Sequence, residues 1–197
     1  MHPVLAKAFD PLVEEIETAS LEELQISPDL TFQRWCAQEV VEHLILSLKT
    51  SREELQHRLS TKAYPSRSTN IYQRIIKLHV CWFGWMPNGV PALQSLEPVQ
   101  FAPQDGPVLA VRLLWEADEL SKILAECRIV FGMLPCGYHP MCGVLRVEEW
   151  RSYHAVQCHH HTRQFREAVD FARKHPEQMR LSKTGIERMV TDAGHEE

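Results

Sequence analysis

Apolar residues recur every three or four positions along four long stretches of this 197-residue chain, with polar residues between them. That spacing is the period of an α-helix with one buried face. The first stripe is Leu5, Phe9, Leu12, Val13, Ile16 and Ala19, set against Lys7, Glu14 and Glu17, and it predicts a helix over about residues 4–19. Pro11 falls inside this pattern, which fits a regular part that begins there with a first-turn proline. Ser20 with Glu23 has the spacing of a capping box and predicts a short further turn through Leu24, followed by a loop at Pro28 and Asp29. The second helix starts near Cys36, where Glu39 occupies the position of a capping carboxylate, and Val40, His43, Leu44, Ser47 and Leu48 line one face. Ser51 and Glu54 form a second capping-box pair, which predicts a break or kink near Thr50 before the helix ends at about Leu59.

Residues 60–104 read as a long crossover punctuated by Pro65, Asn70, Pro87, Gly89, Pro91, Pro98 and Pro103. Only Ile71–Trp85 is helical in pattern, and it is apolar almost all round. A buried helix is the expectation there, with a contact between copies of the chain, a homodimer, as the alternative. Asp105 and Pro107 mark the start of the third bundle helix, whose stripe of Leu109, Leu113, Glu116/Ala117, Leu120, Leu124 and Cys127 carries it to about Cys127. A loop follows over Gly132–Gly143. The last helix runs from about Val147 to Lys174 and stops before Pro176. Residues 176–197 are polar, and predict a weakly ordered tail or one short helix near Lys183–Thr191. No strand alternation is visible. The reading is all-α: one domain over residues 1–175, a four-helix bundle whose long crossover carries an extra helix, and a polar tail. The short connections predict that the first two bundle helices are neighbours, and likewise the third and the last.

The chemistry concentrates in Trp150–Phe165, WRSYHAVQCHHHTRQF. On a helix, Trp150, His154, Gln157, His161 and Gln164/Phe165 fall on the same face as Val147, Ala168 and Ala172, so this face points into the core. Two histidines and a glutamine on a core-facing stripe need partners to offset their desolvation. A hydrogen-bond network is one answer and a bound metal is the other. His43, inside the apolar stripe of the second helix, has the same two readings: a core histidine bonded to a backbone carbonyl, or a ligand. His160 lies at a helix flank, where it and Gln164 suit interhelical or outer-shell hydrogen bonds, whereas His159 points to solvent.

The segment HPMCGVLRVEEWRSYHAVQCHHHTRQF (His139–Phe165) resembles the last-helix signature of the DinB/YfiT-like family of metalloenzymes, close to HPxFGxLxxxEWxxFHxxHxxHHxRQ in one branch. RWCAQEVVEHL (Arg34–Leu44) is similar to that family's Trp-Ser-x-x-x-x-x-x-His-Leu second helix. The resemblance implies a divalent metal site, Zn, Ni or Fe, built from one histidine of the second helix and two of the last, four residues apart. Carried over, these are His43, position 157 and His161, and position 157 here is Gln157. An amide oxygen is a hard, weak donor in a place where imidazole suits a borderline metal. His154, three residues before Gln157, replaces it only if the ion sits lower along the helix. The family includes thiol-dependent transferases, so the resemblance implies a small-molecule substrate and a low-molecular-weight thiol or water activated by the metal. A metal-dependent transferase or hydrolase is one reading. A non-enzymatic bundle with a hydrogen-bonded polar core is the other.

Composition narrows the partners. The formal net charge is −5 with no basic block, which argues against a nucleic-acid surface. No stretch has the length and apolarity of a membrane span, and the N-terminus lacks the layout of a signal peptide, so a cytoplasmic protein with reduced thiols is expected. Cys136, His139 and Cys142 would offer a second zinc site only three ligands at unusual spacing, and His139 is read instead as shaping its loop.

Overall fold

The bundle is made of α1 (Pro3–Thr18), α3 (Ala37–Thr61), α5 (Gly106–Phe131) and α6 (Val147–Lys174), with a short α2 (Leu21–Gln25) after the first. The computed structural model describes residues 1–28, 34–86, 94–98 and 102–176; the expected tail helix near 183–191 lies outside them. Pro3, not Pro11, is the first-turn proline of α1, and Pro11 sits inside the helix. Its missing N–H would have paired with the carbonyl of Lys7, and both residues are exposed. Ser20 and Glu23 close the capping box of α2. In α3 the Cys36 N–H is taken by Glu39 Oε2 at 2.7 Å.

The expected break at Thr50 is absent: α3 is one helix of 25 residues. Ser51 is buried within it, and Glu54 is engaged elsewhere, accepting from the Tyr138 N–H at 3.1 Å and pairing with Arg58 at 2.8 Å. Helix α5 runs four residues past the expected end and stops at Gly132, whose φ is 60°. Residues expected to be loop form a small antiparallel hairpin, β1 (Gly137–His139) and β2 (Gly143–Leu145), paired Gly137 with Leu145 and His139 with Gly143. Three-residue strands are too short to show alternation in sequence. Gly143 has φ 71° at the turn, and a Cβ there would lie 2.5 Å from the Thr69 side chain.

The neighbour relations differ from the expectation drawn from connection length. Helix α3 packs along α5 and α6, and α1 also packs along α5 and α6, while α5 and α6 touch only sparingly and α1 and α3 lie across the bundle from each other. Close approach of α1 and α5 depends on Gly106, where a Cβ would meet the Ile16 carbonyl oxygen at 2.1 Å. A single hydrophobic core joins the four helices, with Phe9, Leu12, Leu44, Leu48, Leu113, Trp150 and Phe165 among its fully buried side chains. Each such side chain stabilises the fold by about 1.5–3 kcal/mol before its entropy cost.

The crossover departs most from expectation. Helix α4 (Ile71–Lys77) gives way to a π-turn at Leu78–Trp82, and a 3₁₀ turn follows at Gln94–Leu96. The segment is not buried all round. Val80 is buried and Ile76 and Cys81 pack on the core, but Ile71, Ile75, Leu78, Trp82, Phe83 and Trp85 are exposed. Lys77 fastens the segment to the hairpin and α6 through the Val144 carbonyl at 3.1 Å and Glu149 at 3.3 Å. Among the described residues no helix is long and apolar enough to cross a membrane.

Candidate metal centre

Residues four apart on a helix share a face, so His43 and Ser47 project together from α3 and Gln157 and His161 together from α6. The two helices run antiparallel in register at this point. The rings of His43 and His161 lie 4.7 Å apart, and one turn away Ser47 Oγ donates to Gln157 Oε1 at 2.9 Å. The three residues expected to converge, His43, Gln157 and His161, are all buried on this α3–α6 seam. Trp35, at the entrance to α3, closes one side with its ring 4.8 Å from that of His43.

Each imidazole is oriented by an oxygen. His43 Nδ1 is 2.8 Å from the Leu96 carbonyl oxygen, and His161 Nδ1 is 2.7 Å from Gln164 Oε1. An oxygen acceptor fixes the proton on Nδ1, so the lone pair of each ring is on Nε2. Gln164 continues the relay, its Nε2 lying 3.3 Å from His160 Nε2. Gln164 and His160 therefore act around the site, holding His161 from outside. Burial keeps His43 below its ordinary titration range, against the opposing pull of the Leu96 carbonyl. His161 is pushed down to about 3, first by burial and then by the neighbouring His43, with Gln164 opposing. His160 is also lowered, by burial and by the Arg163 charge. Both seam rings are neutral at physiological pH, the form that ligates a metal without losing a proton.

Below Gln157 the seam continues as a buried aromatic column. His154 is fully buried, and among the described residues neither of its ring nitrogens has a hydrogen-bond partner. It stacks on Trp150 with centroids 6.0 Å apart and meets Tyr153 edge-on at 5.0 Å. Burial drives its pKa down to about 3, and His139 adds to the fall. His139 is the hairpin's internal cap: its Nδ1 accepts the N–H groups of Met141 at 3.2 Å and Cys142 at 3.3 Å. That nitrogen is consumed by the turn, and burial lowers the group to about 4. All six cysteines are free. Among the described residues no three His, Cys, Asp or Glu side chains gather as a ligand set, either at Cys136, His139 and Cys142 or on the seam.

The seam's donor set is two imidazoles and one amide oxygen. The imidazoles fit a divalent ion: their Nδ1–H groups are tied to oxygens, the usual arrangement of ligating histidines. Gln157 fits less well, because the Ser47 hydroxyl already occupies one of its two lone pairs. Three participants escaped the sequence reading as site residues. Ser47 was visible as the residue one turn from His43, and Trp35 belongs to the same motif. Nothing in the sequence signals a carbonyl oxygen such as that of Leu96. No protein-family model, curated protein or solved structure matches the chain.

Proposed function

We propose that the chain is a metal-dependent enzyme of the DinB-like kind, a thiol-dependent transferase or a hydrolase acting on a small molecule, with His43, His161 and Gln157 as the donors to a zinc, nickel or iron ion. One observation carries the reading: two buried, neutral imidazoles from facing helices lie 4.7 Å apart, each with Nδ1 bound to an oxygen, which leaves the lone pair on Nε2. When bound, a divalent ion there supplies Lewis acidity toward a low-molecular-weight thiol or water. The chain's own part is to fix both rings in one tautomer through Leu96 and Gln164, to hold the Gln157 amide through Ser47, and to keep the seam dry with Trp35 on its flank. A reduced, cytoplasmic setting accords with six free thiols.

The Ser47–Gln157 hydrogen bond favours the second reading, a non-enzymatic bundle whose polar cluster satisfies itself. Metal titration of untagged protein separates the two. Gln157→His places a third imidazole one turn from His161, so zinc or nickel affinity should rise at least tenfold. A ligand present at 100 times its Kd stabilises the folded state by about 2.7 kcal/mol, or roughly 5–10 °C in Tm for a chain of this size. The wild type should respond more weakly. If the wild type binds one equivalent and the variant binds no better, Gln157 is not a ligand and the ion lies lower, on His154 and His161. If neither binds metal, the enzyme reading falls and the scaffold reading stands.

A further inference from the structure

Among the described residues, the outer face of the crossover is apolar and exposed. Ile71, Ile75, Leu78 and Trp82 follow one another at four-, three- and four-residue steps through α4 and the π-turn, so they form one stripe. Phe83 and Trp85 lie beside it, their rings 5.9 and 5.8 Å from that of His79, and Ile71, Trp82 and Phe83 are 73%, 73% and 69% exposed. The opposite side, with Val80, Ile76 and Cys81, is already spent on the core. Desolvating the inner side therefore does not explain the outer one.

We infer that this stripe is the interface of a two-fold homodimer. Aromatic side chains carry about 150–250 Å² each, and six large side chains exposed over roughly half of their surface or more together present on the order of 800 Å², the share one partner gives to a standard stable interface. A patch of that size is larger than soluble monomers usually leave open. Two-fold association sets the same patch against itself, so it must not confront like charges. The cation nearest the stripe's inner edge, Lys77, is neutralised by Glu149 at 3.3 Å. His79 has its Nδ1 held at 2.9 Å from the Ile75 carbonyl oxygen. Arg74 is exposed beside the stripe, and its length lets the guanidinium reach water while its methylenes lie along the apolar surface. An apolar centre with its charges paired or at the margin suits a second copy better than a strongly charged partner.

Sedimentation equilibrium tests this on the full chain. The wild type should sediment at twice the 22.8 kDa chain mass at micromolar concentration. Trp82→Glu, which places a carboxylate at one end of the apolar stripe of each copy, should return it to the monomer with an unchanged far-ultraviolet circular dichroism spectrum. Ile71→Arg should do the same at the other end of the stripe, and it guards against a folding defect peculiar to Trp82. Ile129→Glu, at an 85% exposed apolar residue on α5, should remain dimeric. Tryptophan emission should shift to the blue on association in the wild type and not in Trp82→Glu. A monomeric wild type, whether the stripe is met by another part of the chain or by another protein, overturns the proposal. So does a Trp82→Glu protein that stays dimeric.

Discussion

Acid should unfold this protein through its buried histidines before its carboxylates titrate. His139, His154 and His161 are held neutral by burial, with folded-state pKa values of about 4, 3 and 3 against an ordinary value of 6.5. The unfolded chain takes up a proton at each as pH falls through 6.5, and the folded chain does not. The stability held by the neutral rings is therefore complete above pH 6.5 and is lost as the pH falls toward 4 and 3. At pH 5 the gap of 1.5 pH units costs about 2 kcal/mol per histidine, or about 6 kcal/mol for three. That is comparable to the whole stability of a typical domain, 5–15 kcal/mol. Urea unfolding of chelator-treated protein should show the loss between about pH 7 and pH 5, where most carboxylates stay ionised in both states. His154→Leu removes one titrating ring and two buried nitrogens without hydrogen-bond partners. It should lie within about 1 kcal/mol of wild type at pH 7.5, since no hydrogen-bond partner is orphaned, and gain about 2 kcal/mol relative to it at pH 5. Equal urea midpoints for the wild type at the two pH values would refute the reasoning. A variant with the full wild-type pH dependence would clear His154 of any part in it.

Two further perturbations test the frame around the seam. Arg112→Ala strips the ion pair from Glu42, a carboxylate whose side chain is 1% exposed and which Arg112 grips at 2.5 and 3.0 Å. Urea denaturation should show a loss of about 3 kcal/mol, the low end for a buried pair broken from one side because Arg112 is partly open to water. The double variant Glu42→Gln/Arg112→Ala should recover part of it. Gly143→Ala forces a Cβ to within 2.5 Å of Thr69 at φ 71°, which should cost roughly 1–3 kcal/mol, read as a lower Tm. An unchanged Tm would mean that the hairpin turn is not held as described.

The helices were legible because their stripes are long and their boundaries are chemically marked. Val147–Lys174 was bounded correctly by an apolar register and by Pro176. The burial of His43, Gln157 and His161 was also legible, because four-residue spacing fixes which residues share a face and apolar neighbours fix where that face points; that His43 would face His161 was expected from the resemblance alone. Three things were not. The capping pair Ser51–Glu54 suggested a break, yet Glu54 serves Tyr138, 84 positions away, and local spacing cannot reveal a distant partner. The crossover's apolar residues predicted burial, but hydrophobicity alone does not distinguish a side facing the core from one facing another surface. The acceptor that orients His43 is a backbone carbonyl, which every residue has, so no residue type announces it.

Each main interface of the bundle joins the first half of the chain to the second: α1 to α5 and α6, and α3 to α5 and α6. Among the described residues, neither α1 with α3 nor α5 with α6 forms one of these main interfaces. The α1–α3 half has no mutual interface to stand on, and α5 with α6 has little. A folding chain cannot lock its early helices together and add the late ones at leisure. It must close loops of 64 and 70 residues to join α3 to α5 at the Arg52–Glu116 and Arg112–Glu42 pairs, and longer ones to dock α6, before those contacts reward it, which slows folding relative to an up-and-down bundle of the same size. His43 meets His161 across 118 positions, so the seam comes into being only when α6 docks. During synthesis, α1 and α3 wait with apolar faces open until α5 emerges, and the faces that meet α6 stay open until the last helix has left the ribosome.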